Sequence, residues 1–196
     1  MRRLTILWAG LVLCGWAARV TAATWAIDPG HTTIGFSVRH MMITNVRGHF
    51  NQFAATTVVD AMKPDATKLE ATIQAASIDT NNDKRDEHLR SPDFFDVAKF
   101  PQITFTSFKI DKTGEQQWKV FGNLTLHGVT KPVELLFEGP SKIIRDPAGL
   151  YRTGGRATVT INRKDYGINF DKQLDGGGVL VGDEVAVTIE VEATSK

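Results

Sequence analysis

The chain has one cysteine, Cys14. A disulfide is therefore excluded, and so are a thiolate metal cluster and a Cys-x-x-Cys redox pair. Tyrosine is scarce: there are two, against eleven phenylalanines. An aromatic set without polar handles suits apolar packing or apolar ligands better than hydrogen-bonded recognition. A charge excess of one sign is also missing, since 23 basic residues face 22 acidic ones. No field of the kind that draws nucleic acid or an anionic membrane surface follows from that balance. The signatures of nucleophile elbows (G-x-S-x-G), zinc proteases (H-E-x-x-H) and P-loops are absent too.

The one long uncharged apolar stretch is N-terminal. Arg2 and Arg3 precede Leu4 to Ala18, and Val20-Thr21-Ala22 offers small residues at a cleavage position. This is the pattern of a secretory signal, with cleavage expected after Ala22. The run is shorter than the ~20 residues a spanning helix needs, so no stable membrane insertion of the mature chain is expected. A lipoprotein reading of Leu11-Val12-Leu13-Cys14 meets a bulky Leu13 where a small residue belongs. Two segments are expected: a signal at 1–22 and one domain at 23–196. Removal of the signal takes Cys14 and three arginines, leaving 20 basic and 22 acidic residues. Such a domain is long enough to build one core without disulfides.

Within 23–196 the dominant period is two. Ile34, Phe36 and Val38 alternate with Thr33, Gly35 and Ser37. Leu69, Ala71 and Ile73 alternate with Glu70, Thr72 and Gln74. Trp118 to Leu126, Val133 to Phe137, Ala157 to Ile161 and Val185 to Val191 repeat the pattern. Alternation means strands with one apolar face. Turn signals stand at Asp111–Gly114, His127–Pro132 and Asp146–Gly149. Short links of this kind predict hairpins. About eight strands result, which suits an all-β closed barrel or a sandwich. The exception is Asn82–Arg90, polar all round except Leu89 and capped by Asn81 or Asn82, with Pro92 as its stop. It predicts a short surface helix, a lid or plug on the barrel.

No constellation in this pattern carries catalysis. His31, His40 and His49 fall nine residues apart, and odd spacing along strands sends neighbours to opposite faces, so no metal array is expected. Asp79, Asp86, Asp93 and Asp96 lie close in sequence and admit a carboxylate hydrolase, but a capped, solvated helix explains them as well. Asp175-Gly176-Gly177-Gly178 lacks the G-K-[ST] ending of a phosphate loop and predicts a hairpin or loop. Arg163 reads as a partner of Asp165 or another surface acid, or as a contact for an anionic head group.

Several blocks are similar to the YceI-like family of polyisoprenoid-binding periplasmic proteins. They are TWAIDPGHTTIGFSVRHM at Thr24–Met41, RGHFNQF at Arg47–Phe53, SIDTNNDKRDEHLRSPDFFDVAKFPQITFTS at Ser77–Ser107, GNLTLHGVTKPV at Gly122–Val133, INRKDYGINF at Ile161–Phe170 and VGDEVAVTIEVEA at Val181–Ala193. Ala55 departs from the pattern, where a glycine is expected. The resemblance implies an eight-stranded, lipocalin-like antiparallel barrel with a short helical insertion near 82–95. It implies a binding protein rather than an enzyme, with no cofactor besides a bound isoprenoid lipid of polyprenyl or quinone type. Transport, storage and stress roles go with that family.

The expected lining is Phe36, Val38, Phe50, Phe53, Ile73, Phe94, Phe95, Phe105, Leu124, Leu126, Val159, Ile161 and Phe170. His40 and Arg163 are head-group candidates, and the helix with Phe94 and Phe95 is a candidate gate. The competing readings are a fatty acid or fatty amide binder, an enzyme acting on a lipid or quinone, and a packed barrel with no ligand. A homodimer is compatible with the pattern but not demanded by it.

Overall fold

The computed structural model describes residues 23–59, 67–172 and 179–196. The segment 1–22 expected to be a signal, with Cys14, and the glycine run at 176–178 lie outside the described residues.

Twelve strand segments form one antiparallel sheet that closes into an eight-stranded barrel. β1 (Ala23–Ile27) and β2 (Thr33–His40) are two halves of one bent barrel strand. Both pair with β12 (Val181–Ser195). β3 (Thr44–Phe50) and β4 (Phe53–Val59) make the second strand, pairing β2 and β1 respectively. β5 (Lys68–Gln74) and the two-residue β6 (Ile78–Asp79), linked by a 3-10 turn, make the third. β7 (Gln102–Lys112), β8 (Gln117–Leu126), β9 (Val129–Glu138) and β11 (Tyr151–Asn162) complete the meander. β10 (Ile144–Arg145) is a short excursion paired to β11. The bends that divide the first three barrel strands are not marked by any change of period, so the sequence shows fewer segments than the structure.

Register fixes which face is inside. Phe36 sits opposite Val187 and Gly48, Val38 opposite Val185 and Val46, and Ile34 opposite Ile189 and Phe50. On the other wall Ile73 pairs Ile103, Ala71 pairs Phe105, and Phe105 pairs Leu124. One apolar set therefore faces inward around the whole ring, because period two assigns every second residue to one face. Ala55, the departure from the family pattern, is inward and opposite Ala71.

The turn predicted at His127–Pro132 is shorter than expected. His127 and Gly128 alone make it, both at positive φ (51° and 76°). Thr130, Lys131 and Pro132 already belong to β9. A two-residue loop with two left-handed residues has the twist a tight hairpin needs, and glycine supplies one of them without steric cost.

The helical insertion closes one end of the barrel. α1 (Asp83–Arg90) starts where Asn82 accepts a hydrogen bond from the Arg85 N–H. Contrary to the sequence reading, it is not polar and solvated all round. Asp86 is 5% exposed, and its carboxylate accepts from both the backbone N–H and the hydroxyl of buried Thr80. Arg85 donates to the Thr80 carbonyl and hydroxyl, and Arg90 to the carbonyls of Ala76 and Ile78. These bonds fasten α1 to β6. Beneath it Phe94, Ile78, Phe50, Ile34, Leu126, Tyr166 and Ile168 form a buried cluster.

Removing Asp86 would strand a buried N–H and hydroxyl, at a cost of ~1–3 kcal/mol per unsatisfied group. Asp86→Ala is expected to lower stability by about 2–3 kcal/mol, read from urea unfolding. A change within ±0.5 kcal/mol, the usual range for a surface site, would mean that the clamp holds nothing.

Candidate functional site

The interior is apolar but incompletely filled. Phe36, Val38, Phe53, Ile73, Leu124, Val159 and Ile161 face inward and are only half-buried. Burial is tight at the capped end and on one wall, where Phe105, Val120 and Leu135 cluster. Among the described residues the one large side chain that is fully buried is Ile78. A packed interior at ordinary protein density would bury far more, because cores leave few voids larger than a water. The inner face therefore keeps apolar surface accessible along much of its length.

Glycines make room for three of the eleven phenylalanines. A Cβ on Gly48 would meet the Phe36 ring at 2.5 Å, one on Gly122 the Phe105 ring at 2.2 Å, and one on Gly155 the Phe137 ring at 2.5 Å. Each ring closely approaches a glycine of the neighbouring strand, in space that a side chain there would fill. Glycine inside a strand marks such a close approach. Gly122 sits in phase with Val120 and Leu124, so this signal was present in the sequence.

The expected lining residues divide into two groups. Phe36, Val38, Phe50, Phe53, Ile73, Phe105, Leu124, Leu126, Val159 and Ile161 share the inner face of the wall. Phe94, Phe95 and Phe170 belong to the cap. Phe94 and Phe170 have ring centroids 4.7 Å apart, His88 stands edge-on to both, and Phe95 meets Phe50 edge-on at 5.9 Å. Phe121 faces outward beside Lys109, and Phe108 is exposed at a bulge in β7.

The two head-group candidates fare differently. His40 ends β2 on the inner face, half-buried, opposite Thr44 and Val181. Arg163 is 4% exposed. Its guanidinium donates to the carbonyls of Gly182, Ile168 and Val181 and to the Asp183 carboxylate. Its acid is Asp183, not Asp165. It clasps the 3-10 turn after β11 to the start of β12, which occupies the donors an anionic head group would need. Lys164 also pairs Asp183, at 2.9 Å, and that hydrogen bond raises its pKa.

Asp79, Asp86 and Asp93 near α1 are tied to structural partners as well. Asp79, Asp83 and Asp86 line an outer cleft of about 360 Å³ with Asn51, Gln52 and Arg90. Asp79 accepts from the Asn81 N–H and the Asn51 amide, which hold its carboxyl below the ordinary range. Asp93 pairs His88.

A second polar group could not be read from the sequence, because its members lie far apart in the chain. Arg152 reaches Asp28 and Asp146, each at 2.7 Å, and also Glu192. His31 approaches Asp28 at 3.0 Å. Asp28, His31 and Glu192 have the spacing of a metal site, but the Arg152 cation is already bound to both acids. The group is an ion-pair hub that ties the β1–β2 bend to β11 and β12.

The comparisons with known proteins agree with this geometry. A model of the YceI-like domain matches residues 25–193. The chain belongs to the YceI-like family. A UPF0312 protein of Pseudomonas savastanoi is 40% identical over 156 residues, 78% of this chain and 80% of the relative. The crystal structure of a YceI protein from Campylobacter jejuni, 32% identical, matches with a TM-score of 0.66 over 81% of this chain and 90% of that one. A polyisoprenoid binding domain from Saccharophagus degradans, 17% identical, matches with a TM-score of 0.63 over 89% and 99%, and shares the fold. The chain is thus a YceI-like barrel, and among its described residues no helix is long and apolar enough to cross a membrane.

Arg152 gives a pH test. Its hydrogen bond, with those of His31 and the Gly30 N–H, brings the Asp28 carboxyl down to about 2. Arg152 and the Leu150 N–H also lower Asp146. A carboxyl lowered in the folded state contributes stability that is fully present above its unfolded value of about 3.9 and is lost as pH falls through the folded value. The urea midpoints of wild type and Arg152→Gln should therefore differ most above about pH 4 and converge towards about pH 2. A gap that stays constant across this window would contradict the hub.

Proposed function

We propose that this YceI-like protein is a periplasmic carrier that holds a long isoprenoid chain, of polyprenyl or quinone type, inside its lumen. The observation that carries this reading is the ring of inward apolar side chains that remain half-buried. Apolar surface facing an empty or watered lumen gains roughly 25 cal/mol for each Å² a ligand covers. Ordering a flexible chain offsets part of that gain, so a long, continuous hydrocarbon suits the site better than a small one. The binding named for the Saccharophagus degradans domain supports the choice of an isoprenoid, and the signal at 1–22 supports export.

The protein acts as a binder, not an enzyme, on this reading. Asp79, Asp86 and Asp93 near α1 are held by structural partners, and the inner face offers His40 as the remaining candidate for a polar head group. A gate at α1 fits poorly, because the clamp on Asp86 fastens that end. For the same reason, loss of function in an Asp86 variant would report damage to the cap rather than lost chemistry.

The test is organic extraction of protein purified from its own periplasm, with lipid mass spectrometry against a denatured mock. An isoprenoid at near-stoichiometric amount is the expected result. A fatty acid or fatty amide in its place would keep the carrier and change the cargo. A clean protein that also takes up no added polyprenol would overturn the reading.

A further inference from the structure

The wall of the barrel is not equally closed all round. β8 and β9 pair from Leu126–Val129 to Gln117–Glu138, and β11 and β12 pair from Asn162–Glu184 to Tyr151–Ser195. Between these two continuous ribbons, β9 and β11 share three residue pairs: Glu138–Arg156, Phe137–Ala157 and Leu136–Thr158. Beyond Leu136 the ladder stops, although both strands continue. Pro132 stands in this unpaired part of β9 and has no N–H to offer a neighbour. Among the described residues the next side-chain link is an exposed ion pair, Lys131 to Asp165, at 3.4 Å, on the turn that follows β11.

A cleft of about 340 Å³ marks the place where the ladder stops. Its lining is mostly outward-facing: Glu134 and Leu136 from β9, Thr158 and Thr160 from β11, Ala186 and Thr188 from β12. Its floor includes Val159 and Val187, a cross-strand pair. Val187 is also the partner of Phe36 in β2, and Val159 packs against the buried Phe105–Val120–Leu135 cluster. Both valines therefore belong to the inner face. The cleft runs along the outer face over β9, β11 and β12, beside the interrupted ladder. Leu136, 50% exposed, gives its rim an apolar edge.

We propose that this seam between β9 and β11 is a lateral portal, through which the hydrocarbon chain slides into and out of the lumen. The inference rests on the carrier reading and adds the route. A long chain admitted sideways need not be threaded past the cap, where side chains of Arg85, Asp86 and Arg90 fasten α1 to the barrel. At the seam three residue pairs hold the gap, and a continuous ladder of hydrogen bonds does not have to part. Unpaired strand edges in contact with an apolar ligand are protected from pairing with other chains only while the gap stays narrow. A short interruption next to a proline meets both demands.

The experiment uses the mature chain, from which Cys14 is absent, with Glu134→Cys and Thr160→Cys introduced across the cleft. The two thiols are bridged by disulfide formation or by a short bifunctional thiol reagent. Uptake and release of a fluorescently tagged polyprenol are then timed against phosphatidylcholine vesicles. Bridging should slow both rates by about tenfold or more while leaving equilibrium occupancy unchanged. Reduction of the disulfide should restore them, and each single-cysteine variant treated alike should exchange at the wild-type rate. Thr158→Trp, which fills the cleft without chemistry, should slow exchange in the same direction. Unchanged rates in a protein shown to be bridged, or in Thr158→Trp, would overturn the portal and leave the carrier reading standing. If the unbridged protein takes up no polyprenol, the carrier reading and the portal fail together.

Discussion

An apolar inner wall whose side chains stay half-buried must be held apart by the wall itself. Hydrophobic burial ordinarily drives side chains together until voids vanish. Here the closed antiparallel ladder fixes the strands at a set circumference, and a barrel of eight strands is wide enough to leave room for one ligand. Three rings closely approach glycines of the adjacent strand: Phe36 on Gly48, Phe105 on Gly122, Phe137 on Gly155. These three rings thus lie close against the wall. Tight packing is confined to the capped end and the Phe105–Val120–Leu135 wall.

A barrel with an accessible inner face needs its ends and its bends fixed by something other than a continuous core. Polar side chains do this work. Asp86 and Arg90 fasten α1 to β6, Arg163 clasps the turn after β11 to the start of β12, and Arg152 gathers acids from the β1–β2 bend, the β10–β11 hairpin and β12. Among the described residues no buried side-chain polar atom lacks a partner. Buried polar groups cost little once satisfied, and they specify geometry that apolar contact alone would leave loose. Charge in this protein is spent on architecture, which is why its sequence reads as chemistry-poor.

Much of the fold was legible. Period two in the runs around Phe36, Ile73, Leu124, Val159 and Val187 announced the strands and the inner face. The Asn82 cap and the Pro92 stop announced α1. What stayed hidden was long-range. The partners of Arg152 lie 124 and 40 residues away in Asp28 and Glu192, and no spacing rule reaches that far. Arg163 looked like a surface residue because its acid, Asp183, lies 20 residues on, across a turn. The burial of Asp86 was hidden for a different reason. A charged helix suggests a solvated face, and nothing local says which carboxylate turns inward. The accessible inner face was half-legible. An inward glycine such as Gly122 within an apolar alternation signals a close approach, but only the register shows that a ring covers it.

The central claim is that the interior is a lumen and not a core, and a small-to-large substitution separates the two. Val38 faces inward, half-buried, opposite Val185 and Val46, away from both buried clusters. In a packed core Val38→Trp would cost about 1–3 kcal/mol or more through overpacking. The account predicts a variant whose urea midpoint stays within experimental error of wild type and whose polyprenol uptake is abolished. A variant that is strongly destabilised, or one that still takes up polyprenol at the wild-type level, would contradict it.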